Sequence, residues 1–473
     1  MRYKRQLYYL RLLLIFISVN STIQAQNPHS GEPSRWKVPN SPMGKQISVF
    51  MDALDSKELS QIQEYVTANY APDVINKFGV DKLANQLKQY ADEFDDLQII
   101  ELRRSDEKSV IITVLSKKNR VEKSFVLTIS DVSSHKIAQI SVKVEETLPF
   151  TDFKKLDKYL KKQTKKGDFS GAVLVSVKGK TKFEKAYGLA SKRFNIPNNT
   201  KTKFNIGSLN KLFTATAILQ LYEQGLLKLD DPLSKYSSQF PQEIADKVTI
   251  RHLLKHQSGW SSYWGNEYFK AHFTELRTID DYISFLKDVP LEFEPGSQQR
   301  YSNTGYVILG TIIENITGES YFDYVRVNIY NKSGMKDTDS YEMDMPIPNL
   351  AIGYMIMEGS IKRKNNLFSH TVKGVSAGGG YSTLKDLQKY YKALSKYKLL
   401  NKKGTNMLLN GYDDNAEMSN KLGYAVAYGG GGPGINAVLG MDFGSDILVV
   451  VLSNYGPPTA GKLGRQIMRM LNE

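Results

Sequence analysis

Ser208-Leu209-Asn210-Lys211 sets a hydroxyl and an amine three residues apart. The pair lies in an apolar stretch, residues 204–221, where Leu212, Ala215 and Leu219, and then Tyr222, recur at helical spacing. On a helix, positions i and i+3 share a face, so the amine would stand beside the hydroxyl. A serine hydroxyl attacks an acyl carbon only when a base takes its proton. A lysine in a dry pocket is driven toward its neutral form and can be that base. The same spacing also describes an N-capping serine followed by a surface lysine, so the pair needs company before it means chemistry.

Two further stretches supply that company. Tyr301-Ser302-Asn303 follows a turn signal, Phe293-Glu294-Pro295-Gly296, and reads as a short extended or looped piece. A phenol can relay protons if nearby cations lower its pKa. An asparagine amide can hold a lysine in place or bind a substrate carbonyl. Tyr428-Gly429-Gly430-Gly431-Gly432-Pro433-Gly434-Ile435-Asn436 lies at a strand end. Its glycines permit close backbone approach, and a free N–H there could stabilise an oxyanion.

Ser-x-x-Lys, then Tyr-x-Asn, then a glycine-rich strand resembles the serine β-lactamase and penicillin-binding-protein superfamily, in its class C-like branch. Phe169-Ser170-Gly171-Ala172-Val173, Leu229-Asp230-Asp231-Pro232, Ile250-Arg251-His252-Leu253-Leu254-Lys255-His256-Gln257-Ser258-Gly259 and Ser376-Ala377-Gly378-Gly379-Gly380-Tyr381 also resemble family segments, in order. The resemblance spans roughly residues 169–473 and implies an α+β fold, an antiparallel sheet flanked by helices with an all-helical region. It implies Ser208 as acylated nucleophile, Lys211 and Tyr301 as the base system, and Asn303 as a ligand of Lys211 or substrate. It also implies backbone N–H groups of Ser208 and Gly431 as the oxyanion hole, with Tyr428 and Gly430 beside the substrate. No cofactor or metal is implied. Related enzymes pair Ser-x-x-Lys with a third motif that begins with a cation. Here that position holds Tyr428, which would hold a substrate carboxylate poorly.

The implied activity is an exported serine hydrolase acting on an ester or amide, D-amino-acid peptides among the candidates. The other readings are a catalytically silent binding module on the same fold, and a general carboxylesterase. A small-molecule or peptide substrate is implied, with cell-wall peptidoglycan as a further candidate partner.

Other motifs compete less well. Gly374-Val375-Ser376-Ala377-Gly378 fits a nucleophile elbow, but no strong strand precedes it and the last histidine is His370. It reads instead as a small-residue wall beside the site. Gly429, Gly431 and Gly434 fit a dinucleotide fingerprint, yet strand character follows where a helix is required. His252 and His256 have zinc-compatible spacing without a third ligand, and read as packing or capping residues.

The elements that must position these residues are also legible. Residues 1–25 read as a secretory signal peptide: Arg2, Lys4, Arg5 and Arg11 precede a short apolar run and a small residue, Ala25. Residues 26–43, with four prolines, read as a flexible leader. Residues 44–147 read as a small α+β domain, helices and then strands at 97–103, 109–115, 122–129 and 136–144. This order is similar to that of cystatin-like domains. After a linker at 145–149, residues 148–473 form the hydrolase-like domain. Early strands at 170–177 and 181–187, late strands at 422–428, 435–441 and 447–452, and a helix at about 460–471 point to one sheet built from both ends.

The chain has 473 residues, no cysteine and a net charge of +14. Export without cysteine fits a bacterial periplasm better than a eukaryotic secretory route. The lysines scatter, with small clusters such as Lys161-Lys162 and Lys165-Lys166, and do not make a nucleic-acid site. They read as a solvated basic surface, one that an acidic envelope surface or anionic polymer would suit. No segment beyond the leader is apolar enough to span a membrane.

Overall fold

The computed structural model describes residues 22–23, 42–94, 97–104, 108–116, 122–131, 134–143, 149–356, 362–412 and 425–472. The expected cleavage point at Ala25, the leader at 26–41 and most of the linker lie outside the described residues. The chain divides into two compact units, Met1–Glu145 and Glu146–Glu473.

In the first unit, helices Pro42–Ser56, Leu59–Asn69, Pro72–Phe78 and Val80–Asp92 precede strands Leu97–Arg104, Ser109–Ser116, Glu122–Ile129 and Ile137–Lys143. The strands pair antiparallel in sequence order, and Thr22–Ile23 pairs onto the edge at Leu102 and Arg103. One face carries Ile112, Val114, Phe125 and Leu127. They pack against Phe50, Leu54, Ile62, Val66 and Leu87 of the helices, and the resulting core needs no disulfide.

The second unit is built on a five-stranded antiparallel sheet. Its strands are β1 Gly171–Val177, β2 Lys180–Tyr187, β3 Ala425–Gly432, β4 Ile435–Asp442 and β5 Ile447–Ser453, in the spatial order β3-β4-β5-β1-β2. The sheet therefore joins the two ends of the unit. Lys178 and Gly179, with φ of 49° and 70°, close the β1–β2 hairpin in the doubly left-handed turn that suits strand twist. Pro433-Gly434 closes β3–β4, with Gly434 at φ 68°. Strand, not helix, follows the glycines, which removes the dinucleotide reading.

Alternation along the strands splits the core in two. Val173, Val175, Val449 and Val451 face helices α1 (Phe153–Lys166) and α4 (Thr459–Asn472) through Leu156, Leu160, Leu463 and Ile467. Ala172, Leu174, Leu439, Val450 and Leu452 face the larger helical body. At its centre is α2 (Lys211–Glu223), buried at every residue through Leu221. A helix apolar all round belongs inside a domain. It explains why Lys211 is carried into the interior: the residue opens a helix that has no solvent side.

Candidate functional site

Ser208 lies on a single 3₁₀ turn, Gly207–Asn210, that leads directly into α2. The i, i+3 geometry expected of a helix survives in this tighter turn, and Lys211 Nζ stands 3.3 Å from Ser208 Oγ. Gly207 takes φ +52°, and its N–H donates to Asn205 Oδ1 at 2.9 Å, which fixes the entry to the turn.

Tyr301 lies on the extended or looped piece the sequence suggested, and Asn303 opens the helix that follows it. Ser302 caps α3 (Asn303–Thr317), its Oγ accepting from Gly305 N at 3.1 Å and donating to Ser261 O at 3.1 Å. Asn303 is thus the first helical residue, where an extended piece was expected, and Tyr301 precedes the cap. Tyr301 donates its hydroxyl to Ser208 Oγ at 2.6 Å. Lys211 donates to Asn303 Oδ1 at 2.6 Å and to the carbonyl of Ala377. Asn303 Nδ2 donates to Ser262 Oγ at 2.8 Å, so the amide oxygen is the atom turned to the lysine.

The electrostatics follow from burial. Lys211 has only carbonyl and hydroxyl oxygens among its hydrogen-bond partners. Burial without a carboxylate pushes its pKa well below the ordinary lysine value. A neutral amine has two N–H groups and one lone pair. With the two N–H groups on Asn303 and Ala377, the lone pair faces Ser208. Tyr301 as a residue is 44% exposed, but its hydroxyl end is sunk beside Ser208 and Asn303. Burial pushes the phenol up to about 12, and the Ser208 hydrogen bond pulls it partly back. The sequence reading looked for a phenol lowered by cations. The structure instead holds a phenol that keeps its proton at neutral pH and aims it at Ser208.

The glycine-rich strand meets this turn edge-on. A Cβ on Gly430 would sit 1.9 Å from Ile206 O and 2.9 Å from Ser208 N. A Cβ on Gly207 would sit 2.9 Å from Gly431 N. The glycine run stays extended because β4 pairs with it from Gly429–Val438 to Gly432–Ile435. Gly430→Ala should therefore displace β3 from the Ser208 turn. We expect ester hydrolysis to fall at least ~100-fold, as for loss of one oxyanion donor. Steady-state kinetics on the soluble variant check this, and near-normal kcat would show that the strand does not serve the reaction.

Tyr428 is not brought into the set. Its ring packs against the core and its hydroxyl donates to Leu408 O at 3.0 Å. Burial among other phenols holds its pKa well above the ordinary tyrosine value. Its phenol is therefore held neutral, with its proton committed to Leu408.

Three contributors carried no sequence signal or only a faint one. The Ala377 carbonyl acts through backbone, which residue identity does not reveal. Its segment is the small-residue wall expected from residues 374–378, and Ser376, fully buried, is no elbow nucleophile. Ser262 supports Asn303 from just beyond the quoted family segment. His256 stacks on Tyr301 with ring centroids 4.7 Å apart and accepts from Ser302 N at 3.2 Å. Burial, with Lys211 close by, holds it neutral, its pKa pushed down to about 3. It orients the phenol without adding charge. His252 caps its own helix with Thr249, as a packing and capping reading requires.

Comparisons with known proteins give the family. The Beta-lactamase family model matches residues 156–469, about two thirds of the chain. PbpX of Bacillus subtilis (strain 168), which carries a penicillin-binding-protein name, is 30% identical over 339 residues, 70% of this chain and 82% of its own. Teichoic acid D-alanine hydrolase of Staphylococcus aureus is 28% identical over 59% of this chain and 67% of its own. The crystal structure of a penicillin-binding protein from Bacillus halodurans is 30% identical with a TM-score of 0.58, covering 66% of this chain and 97% of that one. A fold matched over nearly the whole of a solved relative, and a family match that takes in Ser208, Lys211, Tyr301 and Asn303, leave one assignment: the chain belongs to the β-lactamase family and is a serine hydrolase related to the penicillin-binding proteins.

Proposed function

We propose that the chain is an exported hydrolase that releases a D-amino-acyl group from an ester or amide through an acyl-enzyme on Ser208. The observation that carries the chemistry is Lys211: a buried amine with two carbonyl acceptors, its remaining valence toward Ser208 Oγ at 3.3 Å. The substrate class rests on the relative named as a teichoic acid D-alanine hydrolase. Export rests on the signal peptide read at residues 1–25, with peptidoglycan peptides a further candidate substrate.

In the proposed cycle, Ser208 Oγ attacks the acyl carbon and its proton passes to Lys211. The oxyanion lies between the N–H groups of Ser208 and Gly431. Tyr301 gives its proton to the leaving group, which departs neutral, and leaves a phenolate beside the lysine ammonium. Water then attacks the acyl-serine, its proton goes to the Tyr301 phenolate, and Lys211 returns a proton to Ser208. Both residues end as they began.

The third motif narrows the substrate. Penicillins carry a carboxylate that a cation would hold, and Tyr428 is neutral and turned to Leu408. We expect nitrocefin to turn over slowly, at least ~100-fold below a D-alanyl ester in kcat/KM, a gap of about 2.7 kcal/mol. Rapid nitrocefin hydrolysis abolished by Ser208→Ala would refute this. A parallel series of D-alanyl, L-alanyl and acetyl esters tests the acyl group. A preference for the D-alanyl ester supports the reading, and equal rates for all three would make the chain a general carboxylesterase.

A further inference from the structure

Helix α1 carries seven lysines in fourteen residues, Lys154, Lys155, Lys158, Lys161, Lys162, Lys165 and Lys166, against one acid, Asp157. All seven are exposed. At 100° per residue, Lys154, Lys158, Lys162 and Lys165 fall within an arc of about 80° and form a row about 16 Å long. Leu156 and Leu160, which bury the helix against the sheet, lie on the opposite side. Scatter along the sequence conceals this alignment.

Helix stability does not account for the row. Like charges at i, i+4 oppose each other, as Lys154–Lys158 and Lys158–Lys162 do. Lys154 and Lys155 stand in the first turn, where the helix dipole disfavours cations, and the capping Asp152 lies 3.9 Å from Lys155. The dipole favours only Lys165 and Lys166. Asp157 is committed to Lys161 at 2.9 Å and Lys185 at 3.0 Å. Lys154, Lys158, Lys162 and Lys165 have no acidic partner among the described residues. The chain keeps four cations without acidic partners on the crest of this helix, and for Lys154, Lys158 and Lys162 neither the dipole nor the i, i+4 neighbours favour the charge.

We propose that this crest docks the enzyme on an anionic phospholipid surface. Exposed cations aligned along one helix can meet a flat surface over the whole length of the row, whereas a soluble polymer gains most from a channel. The helix packs on the sheet face opposite α2, which Ser208 precedes, so docking leaves the catalytic turn uncovered. Attraction of this kind acts within a Debye length and weakens with salt.

The test is co-sedimentation of the full mature chain with phosphatidylglycerol-containing vesicles and with pure phosphatidylcholine vesicles. We expect binding to the first only, released by high salt. Each lysine near an anionic surface is worth about five-fold in partition. Replacing Lys154, Lys158, Lys162 and Lys165 together with glutamine should weaken binding roughly 600-fold and leave ester hydrolysis in solution unchanged. A charge-matched control, glutamine at the exposed Lys287, Lys332, Lys336 and Lys396, should bind nearly as the parent does. Three results would overturn the proposal: no pelleting of the parent with anionic vesicles at low salt, equal losses in the two variants, or binding of soluble polyphosphate without binding to vesicles.

Discussion

Ser208→Ala should yield a folded protein whose ester hydrolysis is lower by roughly 10⁴–10⁶-fold, the range seen when a catalytic serine is removed. Ser208 Oγ is the atom on which the site converges. It accepts from Tyr301 at 2.6 Å and lies 3.3 Å from the Lys211 amine, and both contacts vanish in alanine. The other serine of interest, Ser376, is fully buried, its hydroxyl has no hydrogen-bond partner, and it cannot take over. Small residual turnover from oxyanion stabilisation is expected. Initial rates with p-nitrophenyl acetate, alongside circular dichroism, check the prediction. A folded Ser208→Ala protein within ten-fold of the parent would place the nucleophile elsewhere.

Lys211→Met should lower kcat/KM by roughly 10²–10⁴-fold, the usual worth of a general base, while altering how stability depends on pH. Burial depresses the folded-state pKa of Lys211 below its unfolded value of about 10.4. Between those two values the unfolded chain binds a proton that the folded chain lacks. Stability from this group therefore rises as pH rises through the window, and falls as pH drops toward the folded pKa. Methionine removes the contribution, so the denaturation midpoint of the variant should be flatter across alkaline pH. In the parent, kcat/KM should rise with pH as Lys211 loses its proton. Chemical denaturation of both proteins at several pH values, with a parental pH–rate profile, tests this. Equal pH slopes would mean the lysine is charged in the fold.

Much of the site was legible because its chemistry resides in side-chain identity. Ser208, Lys211, Tyr301 and Asn303 were marked by type and order, and the four links among them are side-chain hydrogen bonds the structure shows directly. Period-two runs likewise marked the strands, and their placement at both ends of the unit implied the single sheet. What escaped depends on where backbone goes. Asn303 became helical because Ser302 caps α3, a choice among near-equal local options that Ser261 settles from a distance. Strand character was read over 422–428, and the glycine run continues that strand to Gly432. It stays in β3 because only a residue without Cβ can pass Ile206 O. Tyr428 was placed by motif position. Its hydroxyl went to Leu408 because a phenol brought into a core must satisfy its O–H.

The central claim is that Ser208 is an activated nucleophile, and covalent trapping tests it most directly. After treatment of the folded protein with a fluorophosphonate, intact mass should show one adduct per chain and peptide mapping should place it on Ser208. Ser208→Ala should take up none, and Lys211→Met should label far more slowly. A folded parent that stays unmodified, or an adduct that maps to another residue, would contradict the account and leave a silent binding module on this fold.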